Sequence, residues 1–283
     1  MTHQTSRRNF LGAAAGVAGL SAIASPEASA TIVPEPGGIK LGIATYSLRS
    51  FDRPTAIAML KKLQVKYVSI KDVHLKLEES PDELRAHRKE FDDAGLTVTS
   101  GGNVDMTKGS TIEYLRPKFE YAKNAGLPMM VCAPTHENIK NVEALVKEYN
   151  IRIAIHNHGP EDKHFPSPGS VLEVVNKLDK RCGLCMDIGH ATRAGADIVK
   201  SAVQAGDRLF DMHVKDLADG TKRESQVDIG DGILPFPALF RQLKKMGYTG
   251  CVNMEYEINA KDPMVGMLRS LSYMRGVIAG LAG

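Results

Sequence analysis

The sequence predicts one α/β domain folded as a (β/α)8 barrel, or TIM barrel, over residues 39–283. After residue 37, short β-rich runs alternate eight times with amphipathic helical segments, which implies a parallel sheet with right-handed crossovers. The 253 residues left when the first 30 of 283 are set aside match the ~250 residues of one such barrel. Fewer units would favour an open doubly wound sheet, but no Gly-x-Gly-x-x-Gly pattern follows the first strand, which disfavours a dinucleotide-binding fold.

The order of the elements follows from local patterns. Ser80 before Pro81 and two acids is typical of a helix N-terminus, and Gly95, Gly126 and Gly247 stand where helices need a left-handed C-terminal residue. We expect the strands at 40–46, 67–73, 96–102, 128–133, 151–157, 183–188, 209–215 and 250–256. We expect the helices at 54–64, 81–94, 111–125, 138–149, 169–179, 197–205, 236–246 and 263–279.

Residues 1–30 are predicted to be a twin-arginine signal peptide, and residues 31–38 a linker. Arg7 and Arg8 belong to a twin-arginine pattern, an apolar stretch follows, and a small-x-small cleavage site ends at Ala30. A membrane anchor is the alternative, but the apolar run of about 14 residues is shorter than the ~20 that a spanning helix needs. We therefore expect the Tat export machinery to carry the protein to the periplasm or beyond, with no stable membrane insertion after cleavage.

The charge balance disfavours whole classes of partner. The formal net charge is +3, and it falls to +2 without Arg7, Arg8 and Glu27 of the predicted leader. Such a balance offers no electrostatic basis for binding nucleic acid or an anionic membrane surface. We expect a small-molecule partner instead, and the sequence leaves open whether the protein forms a homo-oligomer.

The cysteines do not form a recognisable metal motif. Cys182 and Cys185 have redox or zinc spacing, but they start an apolar strand and no second pair completes a four-cysteine site. Cys132 and Cys251 also lie in strand-like runs. We interpret all four as small buried residues, with a disulfide left open.

Ligand-type side chains end four predicted strands in the second half of the chain. His156, Asp187, His213 and Glu255 each follow a short apolar run. Because the C-terminal ends of barrel strands converge on one mouth, these residues are expected to surround one metal ion. Two imidazoles and two carboxylates suit Mn, Zn, Co or Fe better than Ca²⁺. The sequence therefore predicts one divalent metal ion at the mouth.

Side-chain alternation predicts a second layer nearer the rim. Residues two apart in a strand face the same way, so His158 accompanies His156, Lys215 accompanies His213, and Glu257 accompanies Glu255. The pattern does not decide whether His156 or His158 is the ligand from strand five. It also leaves open whether Lys215 contacts substrate or forms an ion pair with its neighbour Asp216.

Several stretches resemble the xylose-isomerase-like TIM-barrel superfamily, in particular its sugar phosphate isomerases/epimerases. The resemblance covers residues 39–280, and it is carried by Ile155-His156-Asn157-His158-Gly159-Pro160-Glu161-Asp162, Met186-Asp187-Ile188-Gly189-His190, His213-Val214-Lys215-Asp216 and Met254-Glu255-Tyr256-Glu257. In that superfamily strands five to eight usually supply Glu, Asp, His and Glu to one divalent metal. The resemblance implies that Asp187, His213 and Glu255 are ligands and that His190 contacts substrate oxygens.

One position departs from the superfamily pattern. Ketose epimerases of this group carry a glutamate on strand five, where this chain has His156. In those enzymes two metal-bound glutamates exchange the substrate proton across its two faces. An imidazole in place of one carboxylate keeps a metal site plausible and weakens the case for simple ketose epimerisation.

The resemblance also implies that strand two faces the substrate. Lys71 is then expected to donate to a sugar oxygen or a developing oxyanion, with a salt bridge to Asp72 as the alternative, and His74 to bind substrate. Asn103 after strand three and His136 after strand four are weaker candidates for substrate binding.

The expected activity is that of an exported, metal-dependent isomerase or epimerase acting on a sugar or keto-sugar. A metal-stabilised enediolate would form when Glu255, His156 or Glu257 removes the proton next to the carbonyl. A lyase or hydratase on 3-keto-glycosides or inositol derivatives is the first alternative, and a non-catalytic sugar-binding barrel the second. A metal-dependent phosphodiester hydrolase is disfavoured, because it needs more ligands and a basic face.

Overall fold

The computed structural model describes residues 38–281, which form a closed eight-stranded parallel barrel surrounded by helices. The barrel strands are β1 (Lys40–Ala44), β2 (Tyr67–Ile70), β3 (Thr97–Asp105), β4 (Met129–Ala133), β5 (Arg152–His156), β6 (Cys182–Asp187), β7 (Leu209–Val214) and β10 (Cys251–Met254). Each pairs with the next along the chain, and β10 closes the barrel against β1. The predicted fold class is confirmed. The calls on residues 1–37, the signal peptide and most of the linker, lie outside the described residues.

The helices lie close to their predicted positions. They are α1 (Arg53–Lys62), α2 (Pro81–Asp93), α3 (Ile112–Asn124), α4 (Ile139–Tyr149), α5 (Pro168–Val175), α6 (Ile188–Arg193), α7 (Ile198–Ala205), α8 (Phe236–Met246) and α9 (Met264–Gly280). Ser80 caps α2 with a reciprocal capping box to Glu83, as the local pattern predicts. Gly95, Gly126 and Gly247 adopt φ values of +77°, +60° and +62° at helix ends, again as expected.

Two elements at the mouth were not predicted. Helix α6 follows β6 without a loop, because the Asp187 carboxylate accepts a hydrogen bond from the His190 N–H and caps the helix. A short hairpin of β8 (Asp216–Leu217) and β9 (Gln226–Val227) rises after β7. Both are too short to show a hydrophobic period in the sequence.

The core has the layers expected of this barrel. The strands are buried on both faces, and apolar residues of the helices, such as Phe91 of α2 and Phe240 of α8, pack against them. All four cysteines are buried. Cys182 and Cys185 are three residues apart in β6, so their side chains point to opposite faces and form no disulfide. No helix within residues 38–281 is long and apolar enough to cross a membrane.

Candidate metal and substrate site

Four strands deliver the predicted ligands to one point at the C-terminal mouth of the barrel. One donor atom from each of His156, Asp187, His213 and Glu255 lies within 4.8 Å of the other three. His156 Nε2 is 3.1 Å from His213 Nδ1 and 3.6 Å from Asp187 Oδ2. His213 Nδ1 is 3.4 Å from Glu255 Oε1. The structure thus brings together His156, and not His158, with the other three residues.

The donor set fits a divalent ion. Donors at ~2.0–2.2 Å from a tetrahedral ion are about 3.3–3.6 Å apart, close to the separations found between these side chains. Asp187 Oδ2 is fully buried, with His156 Nε2 at 3.6 Å and Lys215 Nζ at 3.1 Å. Two facing imidazole nitrogens, with two carboxylates beside them, offer the mixed nitrogen and oxygen donors that Zn, Mn, Co and Fe accept.

Backbone contacts position Asp187 for this role. Asn157, just after β5, accepts from the Asp187 N–H and donates to the Asp187 carbonyl, both at 3.0 Å. The His190 N–H then donates to Asp187 Oδ1 at 2.8 Å. Because Oδ1 is occupied by the helix cap, Oδ2 is left to face the other donors.

Lys215 lies inside the site, deeper than the rim position expected for it. Its Nζ is 2.7 Å from Glu255 Oε2 and 3.1 Å from Asp187 Oδ2, and it also contacts Glu257. The ammonium fits because Gly189 has no side chain: a Cβ there would lie 2.6 Å from Lys215 Cγ. Burial alone would lower the pKa of Lys215, but the three carboxylates raise it well above its usual value. Lys215 is therefore a fixed positive charge.

Of the two alternatives left open for Lys215, the ion pair with Asp216 does not form among the described residues, where Lys215 pairs with Asp187, Glu255 and Glu257. Successive residues of an extended strand point to opposite sides. The Asp216 carboxylate instead accepts backbone N–H groups of Gly230, Gly232 and Leu234 at 3.0–3.2 Å. Asp216 thereby shapes the loop that follows the hairpin.

The neighbours shift the pKa values of the two candidate histidine ligands in opposite directions. Burial, with the nearby His158 and His213 rings, lowers the pKa of His156 well below its usual value, so His156 is neutral. Burial also acts to lower the pKa of His213, but the Glu255 carboxylate reverses this and raises it. Burial would raise the pKa of Glu255, yet Lys215 and His213 hold it well below its usual range. Glu255 is therefore ionised.

His158 packs against the ring of His156 and forms a hydrogen bond with Asn103 of β3. Its ring centroid is 4.4 Å from that of His156, and its Nε2 lies 2.8 Å from the Asn103 side-chain amide. Its Nδ1 is 3.3 Å from Asp162 Oδ2. Because the Asn103 amide donates, His158 Nε2 accepts, and the ring proton is on Nδ1 beside the Asp162 carboxylate.

Lys71 also contacts Asn103. Its Nζ donates to the Asn103 carbonyl at 2.7 Å and lies 3.6 Å from Asp72 Oδ1, which is the salt-bridge alternative. Lys71 is thus at the mouth, beside Asn103, rather than in contact with the four donors.

Arg193 determines the tautomer of His190. Its guanidinium donates to His190 Nδ1 at 3.2 Å, pairs with Glu161, and is almost fully buried. An arginine can only donate, so His190 Nδ1 accepts and the ring proton is on Nε2. Burial lowers the pKa of His190, which favours the neutral ring. The sequence predicts no role for Arg193, since nothing in the local pattern separates it from a solvated helix arginine.

A cleft of about 650 Å³ opens over the donors. His158, His190, Lys215 and Glu257 line its inner part. Four cationic and four acidic side chains line it in all: Arg49, Arg193, Arg223 and Lys215, with Glu161, Asp162, Glu224 and Glu257. The balance does not select for an anionic ligand.

Two predicted histidines are not brought to the donors. His74 is buried, with Nδ1 3.0 Å from Thr45 Oγ1 and Nε2 3.2 Å from the Phe51 carbonyl. Both ring nitrogens are occupied by the fold. His136 is exposed, and its ring packs against Phe165 with centroids 4.9 Å apart.

Sequence comparison finds curated relatives that match less than half of this chain. The chain is 29% identical over 129 residues to an uncharacterized protein, MJ1311, of Methanocaldococcus jannaschii, a match that covers 44% of this chain and 43% of that protein. It is 25% identical over 152 residues to the inosose dehydratase of Mesomycoplasma hyopneumoniae, covering 47% of this chain and 50% of the enzyme. The chain spans about half the length, or less, of the curated relatives it matches.

Solved structures share the fold over most of their length. A crystal structure of IOLI protein with a bound zinc atom has a TM-score of 0.70 at 19% identity, covering 86% of this chain and 99% of that one. D-psicose 3-epimerase in the presence of D-fructose has a TM-score of 0.68 at 16% identity, covering 86% and 100%. The profile of the xylose isomerase-like TIM barrel family matches residues 57–276. This chain belongs to the xylose isomerase-like TIM barrel family.

Proposed function

We propose that this protein is a divalent-metal-dependent enzyme that removes a proton next to the carbonyl of a sugar or keto-sugar. The convergence of four donors from four strand ends, beneath a polar cleft, is the observation that carries the proposal. The charge balance of the cleft favours a neutral polyhydroxylated ligand over a sugar phosphate. Isomerisation or epimerisation is the leading reaction class.

The ion would be held by His156, Asp187, His213 and Glu255. When bound, a divalent ion polarises a carbonyl and stabilises the enediolate left by proton removal. Mn, Zn, Co and Fe all suit the donors, and zinc is bound in the related IOLI structure.

Glu255 is the best placed base. Its side chain is 13% exposed, whereas Asp187 is fully buried, and Glu255 contacts Lys215, which lines the cleft. It is ionised and can accept a proton from a ligand in the cleft. Lys215 holds Glu255 in place, and its fixed charge stabilises negative charge that develops on a substrate oxygen. Glu257 contacts the same ammonium and lines the cleft.

Elimination of water is the second candidate, favoured by His190. The Nε2–H of His190 is a donor in the wall of the cleft, where it can hydrogen-bond a departing hydroxyl. His156 replaces the second carboxylate that proton exchange across two faces would use. The sequence match to an inosose dehydratase supports this reaction class, with a keto-inositol or 3-keto-glycoside as substrate.

One experiment separates these reactions. The purified protein, loaded with Mn²⁺, Co²⁺ or Zn²⁺, is incubated in D₂O with keto-sugars, 3-keto-glycosides and inosose, and followed by NMR. Deuterium at the carbon next to the carbonyl without loss of water supports an isomerase or epimerase, and a new unsaturated ketone supports a dehydratase. Ligand binding with neither outcome would leave a sugar-binding barrel and overturn the proposal.

We propose further that residues 1–30 direct export through the twin-arginine pathway to the periplasm. The support is the Arg7-Arg8 pattern and the apolar stretch that follows it. Arg7→Lys/Arg8→Lys is expected to retain the protein in the cytoplasm, measured by cell fractionation. Equal periplasmic amounts of variant and wild type would refute this route.

A further inference from the structure

A second set of donors lies beneath the candidate metal site, inside the barrel. Cys185 precedes Asp187 by two residues in β6, so both side chains point to the same face. Cys185 is also the register partner of His156 in β5. Its sulfur and one nitrogen from each of His156 and His213 lie within 4.8 Å of one another, and all three residues are buried. The same two histidines therefore belong to two sets of neighbouring donors, one completed by carboxylates and one by a thiol.

Each of the two rings has a nitrogen that the fold does not use. His156 Nε2 and His213 Nδ1 face each other beside the carboxylates. His156 Nδ1 and His213 Nε2 are buried without a hydrogen-bond partner in the described chain. A buried polar atom left unpaired costs ~1–3 kcal/mol. A ligand that bonds to these ring nitrogens would remove that cost.

The surroundings of Cys185 favour a cation. Asp211 of β7 is its register partner on the other side. The Asp211 carboxylate is held by Ser100 Oγ at 2.6 Å and Asn253 Nδ2 at 2.8 Å. A buried acid beside a thiol disfavours a free thiolate but stabilises a positive ion bound to it.

We propose that His156, Cys185 and His213 form a second cation site, for a soft divalent ion such as Zn²⁺ or Cd²⁺. On binding, the S–H bond of Cys185 breaks, its proton goes to solvent, and the sulfur electron pair forms the bond to the ion. Thiolate and imidazole select soft ions, whereas the carboxylate-rich set above suits Mn²⁺. Two divalent ions bound to the same pair of imidazole rings repel each other. An ion bound at Cys185 is therefore expected to displace the ion held by Asp187 and Glu255. The inference rests on the proposed function only for that inhibitory consequence.

Cadmium tests the site directly. The metal-free full chain is titrated with Cd²⁺, and ultraviolet difference absorption is expected to show a thiolate-to-cadmium charge-transfer band at one equivalent. Cys185→Ala should lose the band, and Cys182→Ala, from the opposite face of β6, should keep it. Glu255→Gln, which changes only the upper set, should also keep it. Bound Cd²⁺ without this band in the wild type would overturn the proposal.

Manganese separates this proposal from the proposed function. The wild type is loaded with Mn²⁺, and the signal of released Mn²⁺ is followed by electron paramagnetic resonance as Cd²⁺ is added. Cys185→Ala is expected to need at least about tenfold more Cd²⁺ for half release, the equivalent of ~1.4 kcal/mol. Equal Cd²⁺ requirements would overturn the second site. A cadmium band in a wild type that binds no Mn²⁺ would support the second site and count against the proposed function.

Discussion

Lys215 shows how one buried residue sets the charge of the mouth. Its ammonium is shared by Asp187, Glu255 and Glu257. Lys215→Met is expected to lower kcat about 10²–10³-fold, because the charge that stabilises a developing oxyanion is lost. Metal content, measured by elemental analysis, should not fall, since both carboxylates are released to the ion. Lys215→Arg is the conservative control. Wild-type turnover in Lys215→Met would exclude this role.

Arg193 acts through the imidazole beside it. Arg193→Met is expected to free Nδ1 of His190 and lower kcat about 10–100-fold, the equivalent of the ~1.5–3 kcal/mol of a charged hydrogen bond. The ¹⁵N shifts of His190 should change from a single Nε2–H tautomer to a mixture, which a merely structural role would not produce. Arg53→Met, a partly buried arginine paired with Glu90 elsewhere, is the control. An unchanged tautomer in Arg193→Met would contradict the assignment.

At the scale of elements, the strand ends are joined by side chains that orient the donors. Asn157 links the end of β5 to that of β6 through two hydrogen bonds to the Asp187 backbone. Asn157→Ala is expected to weaken divalent-metal affinity about 10–100-fold, as loss of a supporting contact does in metal sites. Isothermal titration with Mn²⁺ measures this.

The matched control for that experiment is another buried asparagine. Asn138 at the start of α4 donates to the Met106 and Gly109 carbonyls, away from the donors. Asn138→Ala should lower thermal stability and leave metal affinity unchanged. Equal losses of affinity in both variants would show that Asn157 acts only through general stability.

At the scale of the whole molecule, stability should depend on pH through buried histidines. Burial lowers the pKa of His74 below 6.5, although the Phe51 carbonyl opposes this. The unfolded chain then binds more protons than the folded one, so stability is full above the unfolded pKa and is lost as pH falls through it. His74→Asn is expected to reduce the loss of unfolding free energy between about pH 7.5 and pH 5.5 by up to ~1.4 kcal/mol.

Urea unfolding at the two pH values measures the His74 effect. His74→Asn will be less stable than wild type at the higher pH, because two buried hydrogen bonds change. Only the difference between the two pH values bears on the prediction. His136→Asn, at an exposed position, is the control, and an identical pH dependence in wild type and His74→Asn would rule the linkage out.

The barrel and the residues at its strand ends could be predicted from local sequence patterns alone. Strict β-α alternation and helix caps are local properties of the sequence. Because parallel strands all end at the same mouth of a barrel, the strand direction alone places His156, Asp187, His213 and Glu255 there. The family match and the closed barrel confirm that fold. The assignment of each site residue to metal, substrate or catalysis stays a prediction.

The neighbours of these residues could not be predicted in the same way. Contacts such as Lys215 to Glu255, Arg193 to Glu161, and Cys185 to the two histidines join side chains from different strands and loops. No local pattern encodes such contacts, because they depend on barrel register and on the path of loops after each strand. Tertiary contacts also distinguish the two histidines His74 and His190. Both ring nitrogens of His74 contact Thr45 and Phe51, whereas His190 lines the cleft.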